Sequence, residues 1–119
     1  MWESLSSAWQ AYCAGTVPIG AVVTDASGQI LSRGRNRIFE MQGEDSYLYG
    51  QTLAHAEINA LITLDVGRAE RHGCILYTTV EPCPLCMGAF FICPACGNCV
   101  ILLATHWEAA QTCLVQHHT

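Results

Sequence analysis

The chain contains no lysine, and its basic side chains are limited to Arg33, Arg35, Arg37, Arg68 and Arg71, for a formal charge of −5. Proteins that grip a polynucleotide draw most of their affinity from basic residues on phosphate. This composition therefore argues against a polynucleotide ligand and for a small neutral or cationic one. Charged residues of both signs make up 13 % of the 119 residues, about half the usual share. No apolar run reaches the roughly 18 residues of a membrane span. No basic-then-apolar stretch opens the chain, so no signal peptide and no membrane partner are expected, and the expected location is cytoplasmic. The length allows one domain, 1–119, with one core.

Cysteine, by contrast, is abundant: eight residues, four of them after Phe91. In a secreted chain that number would point to a disulfide framework. Without a signal segment, the C-x-x-C spacings point to metal instead.

Trp2, Leu5, Ala8, Trp9, Tyr12 and Cys13 form a stripe at helical spacing, with Glu3 in the first turn and Gly15 as the stop. The expectation is a helix that buries its aromatic face. Pro18–Asp25 and Gln29–Arg37 read as two strands joined at Ala26-Ser27-Gly28, with the three nearby arginines sharing a solvated face and Asn36 turned the other way. The segment 38–52 reads as a long loop that feeds into His55, a candidate lid or substrate-facing wall. Leu53–Val66 reads as a helix with Thr52 as a candidate cap, Cys74–Val80 as a third strand, and Leu85–Ile92 as a helix with Cys83 at its cap and Pro84 in its first position. A strand–helix–strand crossover implies a parallel pair within a mixed sheet flanked by helices.

Two segments carry chemistry, His55-Ala56-Glu57 and Pro82-Cys83-Pro84-Leu85-Cys86. Cys83 and Cys86, three apart at a helix start, can reach one metal ion, and a helix N-terminus favours their thiolate forms. His55 is a third ligand of suitable type. Three protein ligands leave a fourth position for water, whose pKa zinc lowers to about 7. Glu57 beside that water can move its proton to a leaving group. H-x-E opening one helix and P-C-x-x-C opening the next is the signature of zinc nucleobase deaminases.

On these residues the chain resembles the cytidine/deoxycytidylate deaminase superfamily, closest to its branch of tRNA adenosine deaminases and guanine deaminases. The matching stretches are Val17–Val23, Gly34–Arg37, Leu53–Leu61 and Leu76–Ala89, within about residues 1–92. The resemblance implies an α/β fold, a three-layer α/β/α sandwich with a mixed sheet of five strands, and a homodimer. It implies one zinc ion per chain on His55, Cys83 and Cys86, Glu57 as the catalytic proton shuttle, and Asn36 and Ala56 as substrate contacts. The reaction would be hydrolytic, replacing a ring amine by a carbonyl and releasing ammonia. Loop 38–54 is longer than in typical tRNA adenosine deaminases. With the low basic count this favours a small nucleobase or nucleoside over tRNA.

After Ile92 the pattern changes. Residues 93–119 admit three readings. One is a second metal site on Cys93, Cys96 and Cys99, with His106 as a fourth ligand. Another is plain divergence, with a strand over 100–104 and a helix over 107–115. The third is a reading-frame shift near Ile92, since a one-base displacement with suitable synonymous codons spells an A-R-D-P turn like the family's. Rivals to an active deaminase are therefore a non-catalytic zinc-stabilised module and an inactive deaminase remnant.

Overall fold

The structure is a computed structural model that describes residues 2–65, 67, 73–93 and 96–101. In chain order its elements are α1 (Trp2–Cys13), β1 (Gly20–Thr24), β2 (Ile30–Arg35), α2 (Ala56–Ile62), β3 (Cys74–Thr78), α3 (Pro84–Ile92) and β4 (Cys96–Ile101).

β1 and β2 form the expected hairpin. Its turn is held by Asp25, whose carboxylate oxygen Oδ1 accepts hydrogen bonds from Ser27 N at 2.9 Å, Ser27 Oγ at 2.6 Å and Gln29 N at 2.9 Å. The sheet order is β2-β1-β3-β4, with β1 antiparallel to both neighbours and β4 parallel to β3. The sheet is therefore mixed, but the crossover through α2 does not join adjacent strands. β2 and β3 run the same way with β1 between them, and the adjacent parallel pair is β3 and β4, joined through α3. β4 occupies 96–101 and begins ahead of the strand read over 100–104. The helix read over 107–115 and His106 lie outside the described residues.

β1 is buried along its whole length. That is the signature of a central strand covered on both faces. Its side chains alternate. Ala21 and Val23 enter a core with Ala56 and Ala60 of α2, Leu76 of β3 and Phe90 of α3. Gly20 faces α1, where a Cβ would collide with the backbone of Ser4 and Ala8. Helix α1 thus lies on one face of the sheet and α2 and α3 on the other, the three-layer α/β/α sandwich with a mixed sheet.

The close approach at Gly20 overturns one expectation. α1 packs through its small residues, Ser4, Ser7, Ala8 and Ala11. Trp2, Trp9 and Tyr12 are instead 77 %, 65 % and 61 % exposed, and Trp9 stacks on Tyr12 with ring centroids 5.4 Å apart. Helix backbone against strand backbone leaves no room for an indole, so the large apolar stripe rotates outward.

Helix α2 is also shorter than its periodicity suggested. It starts at Ala56 with His55, not Thr52, at the cap, and ends at Ile62. Leu53 is 49 % exposed and belongs to the loop, where Arg37 N donates to Ala54 O at 2.9 Å and His55 N to Leu53 O at 2.8 Å. α2 is seated on β2 through Gly34, where a Cβ would run into the backbone of Ala56 and Ala60.

Candidate metal centre

His55 caps α2 in an extended conformation, φ −78° and ψ 154°, and its side chain makes no capping bond. Its imidazole turns away from its own helix towards α3. Cys83 repeats the arrangement at the cap of α3, φ −69° and ψ 169°, again without a side-chain cap. Pro84 at the first helical position has no N–H to leave unsatisfied and a ring already set for the helix. The first bond of α3, Met87 N to Cys83 O at 2.9 Å, then brings Cys86 round to the same side.

The result is a triad. His55 Nδ1 lies 3.5 Å from Cys83 Sγ and 3.4 Å from Cys86 Sγ, and the two sulfurs are 3.5 Å apart. These spacings can be set against a tetrahedral zinc ion. Zn–S near 2.3 Å and Zn–N near 2.0 Å put two sulfurs about 3.8 Å apart and a sulfur and a nitrogen about 3.5 Å apart. The donor set and its spacing fit one zinc ion with little adjustment. Among the described residues this is the one group of three or more His, Cys, Asp or Glu side chains close enough to hold a metal.

Glu57, in the first turn of α2, is almost fully buried beside the triad. Its Oε2 lies 3.4 Å from Cys86 Sγ, and its Oε1 accepts a hydrogen bond from Thr78 Oγ1 at 2.7 Å. The Cys86 thiol is pushed well above the usual range by burial, then by the Glu57 carboxylate and by Cys83. The helix N-terminus favours the Cys86 thiolate, but it does not outweigh these three effects. A buried pocket that crowds acidic groups together is electrostatically unfavourable until a cation enters, and a divalent ion reverses the local pKa order.

The substrate contacts expected from the sequence lie near the ends of the same elements. Asn36 follows β2 and is buried, its Oδ1 accepting from Thr16 Oγ1 at 2.8 Å and from Ile38 N at 3.2 Å. Both lone pairs of that oxygen are used inside the fold. Any contact to a ligand falls to the amide nitrogen. The Ala56 side chain is part of the core. It can meet a ligand only through its backbone N–H, which as the first of the helix has no partner within α2.

Three residues with structural weight around the centre were missed in the sequence. Thr78 is one, and the alternation of β3, which buries Cys74, Leu76 and Thr78 on one face, was the signal that could have found it. Asn59 is another: its amide donates to Arg35 O and Leu48 O at 3.1 Å each and accepts from Leu48 N at 2.8 Å, tying loop 38–54 to α2 and β2. The third is Glu40. It pairs with Arg35 Nη2 at 2.8 Å and Arg37 Nη1 at 2.9 Å, and Arg37 also stacks over the Tyr47 ring at 4.5 Å. The expected arginine face is solvated only at Arg33, which pairs with Glu3 at 3.4 Å.

Comparison with known proteins places this geometry. The family model of the cytidine and deoxycytidylate deaminase zinc-binding region matches residues 1–103. The tRNA(Ile)-lysidine synthase of Deinococcus deserti is 41 % identical over 91 residues, which are 75 % of this chain and 16 % of that protein. The guanine deaminase of Bacillus subtilis is 33 % identical over 96 residues, 79 % of this chain and 54 % of that one. A solved structure from studies of A-to-I editing by tRNA:A34 deaminases superposes with a TM-score of 0.68 at 29 % identity, covering 85 % of this chain and 72 % of the other. The chain spans about half the length of that guanine deaminase, and a much smaller share of the synthase.

Proposed function

The chain belongs to the cytidine and deoxycytidylate deaminase zinc-binding family, and from that premise we propose that it is a zinc-dependent hydrolase that deaminates a nucleobase or nucleoside. The observation that carries this reading is the convergence of His55 Nδ1, Cys83 Sγ and Cys86 Sγ within 4.8 Å of one another, with the Glu57 carboxylate beside them. The three would hold one zinc ion, and their count leaves the open position that distinguishes catalytic from structural sites. Zinc bound there supplies Lewis acidity and makes hydroxide available near neutral pH.

Glu57 does the proton work. It accepts the proton of the attacking water as the oxygen adds to the amine-bearing ring carbon. It passes that proton to the adjacent ring nitrogen and then carries the remaining hydroxyl proton to the departing amine, so that the carbonyl forms as the carbon–nitrogen bond breaks, water is consumed and ammonia released. The Asn36 amide nitrogen and the Ala56 N–H are assigned to holding the ring. Burial of Glu57 and Cys86 keeps bulk water from competing for these groups.

A free base or nucleoside is the assigned substrate class, in preference to tRNA. In support, every arginine among the described residues is already paired with a carboxylate: Arg33 with Glu3, and Arg35 and Arg37 with Glu40. Little positive charge is left for phosphates. A cytoplasmic location is supported by the thiols of Cys13, Cys83 and Cys86, which are not in disulfides and suit a reducing compartment. A homodimer is supported by the exposed apolar side chains Phe91 and Ile92 at the end of α3. No helix among the described residues is long and apolar enough to cross a membrane.

The test is ammonia release over a panel of free bases, nucleosides and tRNA, with zinc supplied. Turnover of a base or nucleoside with none on tRNA is expected. Turnover confined to tRNA overturns the substrate assignment, and no turnover by zinc-loaded protein on any of them overturns the enzymatic reading.

A further inference from the structure

We propose that Thr78 is a positioning residue that divides the work of the Glu57 carboxylate between its two oxygens, holding Oε1 still so that Oε2 carries the proton. This rests on the deaminase reading of the site. Thr78 is the last residue of β3 and fully buried, and it sits in the pairing register opposite Ala21 of the central strand. On its other side it pairs with Ile101 of β4, so its Cα is fixed by both neighbouring strands, and threonine, branched at Cβ, has few χ1 positions to choose from. The hydroxyl is accordingly a rigid donor. It lies 2.7 Å from Glu57 Oε1, within the range expected for an O–H donor on a carboxylate.

The hydroxyl has one proton and two acceptors in reach, Glu57 Oε1 at 2.7 Å and Val80 O at 3.1 Å. The shorter contact, to the carboxyl group, takes it. The second oxygen of Glu57 is on the opposite side of this bond. It is the one that lies 3.4 Å from Cys86 Sγ, next to the ligand triad. A carboxylate with Oε1 pinned cannot rotate to exchange its oxygens. Basicity towards the water is thus concentrated on the oxygen that faces the centre, and the proton is returned from that same position.

Thr78→Val keeps the shape of the side chain and removes the donor. Zinc should remain at about one per chain, KM should stay within about twofold, and kcat should fall about 10–100-fold, the loss usual for a group that orients a metal-site residue. Thr78→Ser restores the hydroxyl on a looser side chain and should recover kcat to within about threefold of the parent. Should Thr78→Val not fold, Thr78→Ala takes its place with the same expected split. Thermal unfolding of the metal-free protein gives a readout independent of turnover. Thr78→Val should lower its Tm, and should lower it much less when Glu57 is already Ala and the acceptor is gone. A Thr78→Val enzyme with parental kcat overturns the proposal, as does equal impairment of the Val and Ser variants or a loss confined to KM. Failure of the parent protein to release ammonia at all overturns the deaminase reading instead, and the coupling of the two Tm changes then still decides whether Thr78 holds Glu57.

Discussion

Gly34→Ala tests how the metal centre is positioned. His55 and Glu57 ride on α2, and α2 is seated on β2 by backbone contact at Gly34. A Cβ there would overlap the carbonyl of Ala56 and the amide of Ala60, main-chain atoms that no rotamer change can clear. Helix α2 must therefore retreat from the sheet. Overpacking of this kind costs about 1–3 kcal/mol, and in a domain of this size each kcal/mol moves Tm by about 4–8 °C, so Tm should fall by about 4–24 °C. The displaced helix takes His55 with it, while Cys83 and Cys86 stay with α3. Zinc affinity should then fall about 10–100-fold, as when a metal ligand loses its orienting contacts. The same substitution at Gly88 is the control. That position lies within α3, and a Cβ meets nothing within 4 Å. Gly88→Ala should raise Tm by a few degrees through helix propensity alone, with zinc affinity unchanged. Thermal unfolding with and without zinc, together with a chelator competition, reads both quantities. A Gly34→Ala protein with the parent's Tm and zinc affinity refutes the backbone-contact account of how α2 is placed.

Asn59→Ala removes an amide that satisfies Arg35 O and both backbone groups of Leu48. Left without partners in the interior, these groups should cost at least about 2 kcal/mol, and hydrogen exchange at the Leu48 amide should accelerate as loop 38–54 detaches. Zinc binding should release protons, because ligation needs the thiolate and the Cys86 thiol is held protonated above its usual range. The sign is fixed: at neutral pH the metal must displace that proton, so apparent affinity rises with pH, about tenfold per unit for each proton released. Calorimetry in buffers of different ionisation enthalpy counts those protons, and a pH-independent affinity contradicts thiolate ligation.

The chemistry of this chain was more legible in its sequence than its packing. Two short patterns, H-x-E and P-C-x-x-C, each opening a helix, place the triad, and the structure brings His55, Cys83 and Cys86 together as that spacing requires. The orientation of α1 was not legible. Its sequence carries two stripes, one of large apolar residues and one of Ser and Ala, and periodicity favours the large one. The decision is made at Gly20, a residue of another element, whose lack of a side chain lets α1 approach too closely for an indole. The start of α2 was hidden for a similar reason. Leu53 has the right spacing for the helix, but the backbone bonds of Ala54 and His55 belong to the loop anchored at Arg37. Asn36 read as a ligand-facing residue, and Glu40 did not stand out within the loop. Their actual partners, Thr16 for one and Arg35 and Arg37 for the other, depend on how the loop folds back over the sheet edge.

The most direct test of the central claim is ammonia release by Glu57→Ala compared with the parent, each measured alongside its zinc content. Glu57 is not a ligand in this account, so the variant should hold about one zinc per chain, as the parent does. Its turnover should drop by about 10²–10⁴-fold, the contribution of a positioned acid–base group. Turnover that survives in a zinc-loaded Glu57→Ala protein would contradict the mechanism, and loss of zinc from that variant would contradict the assignment of the ligands.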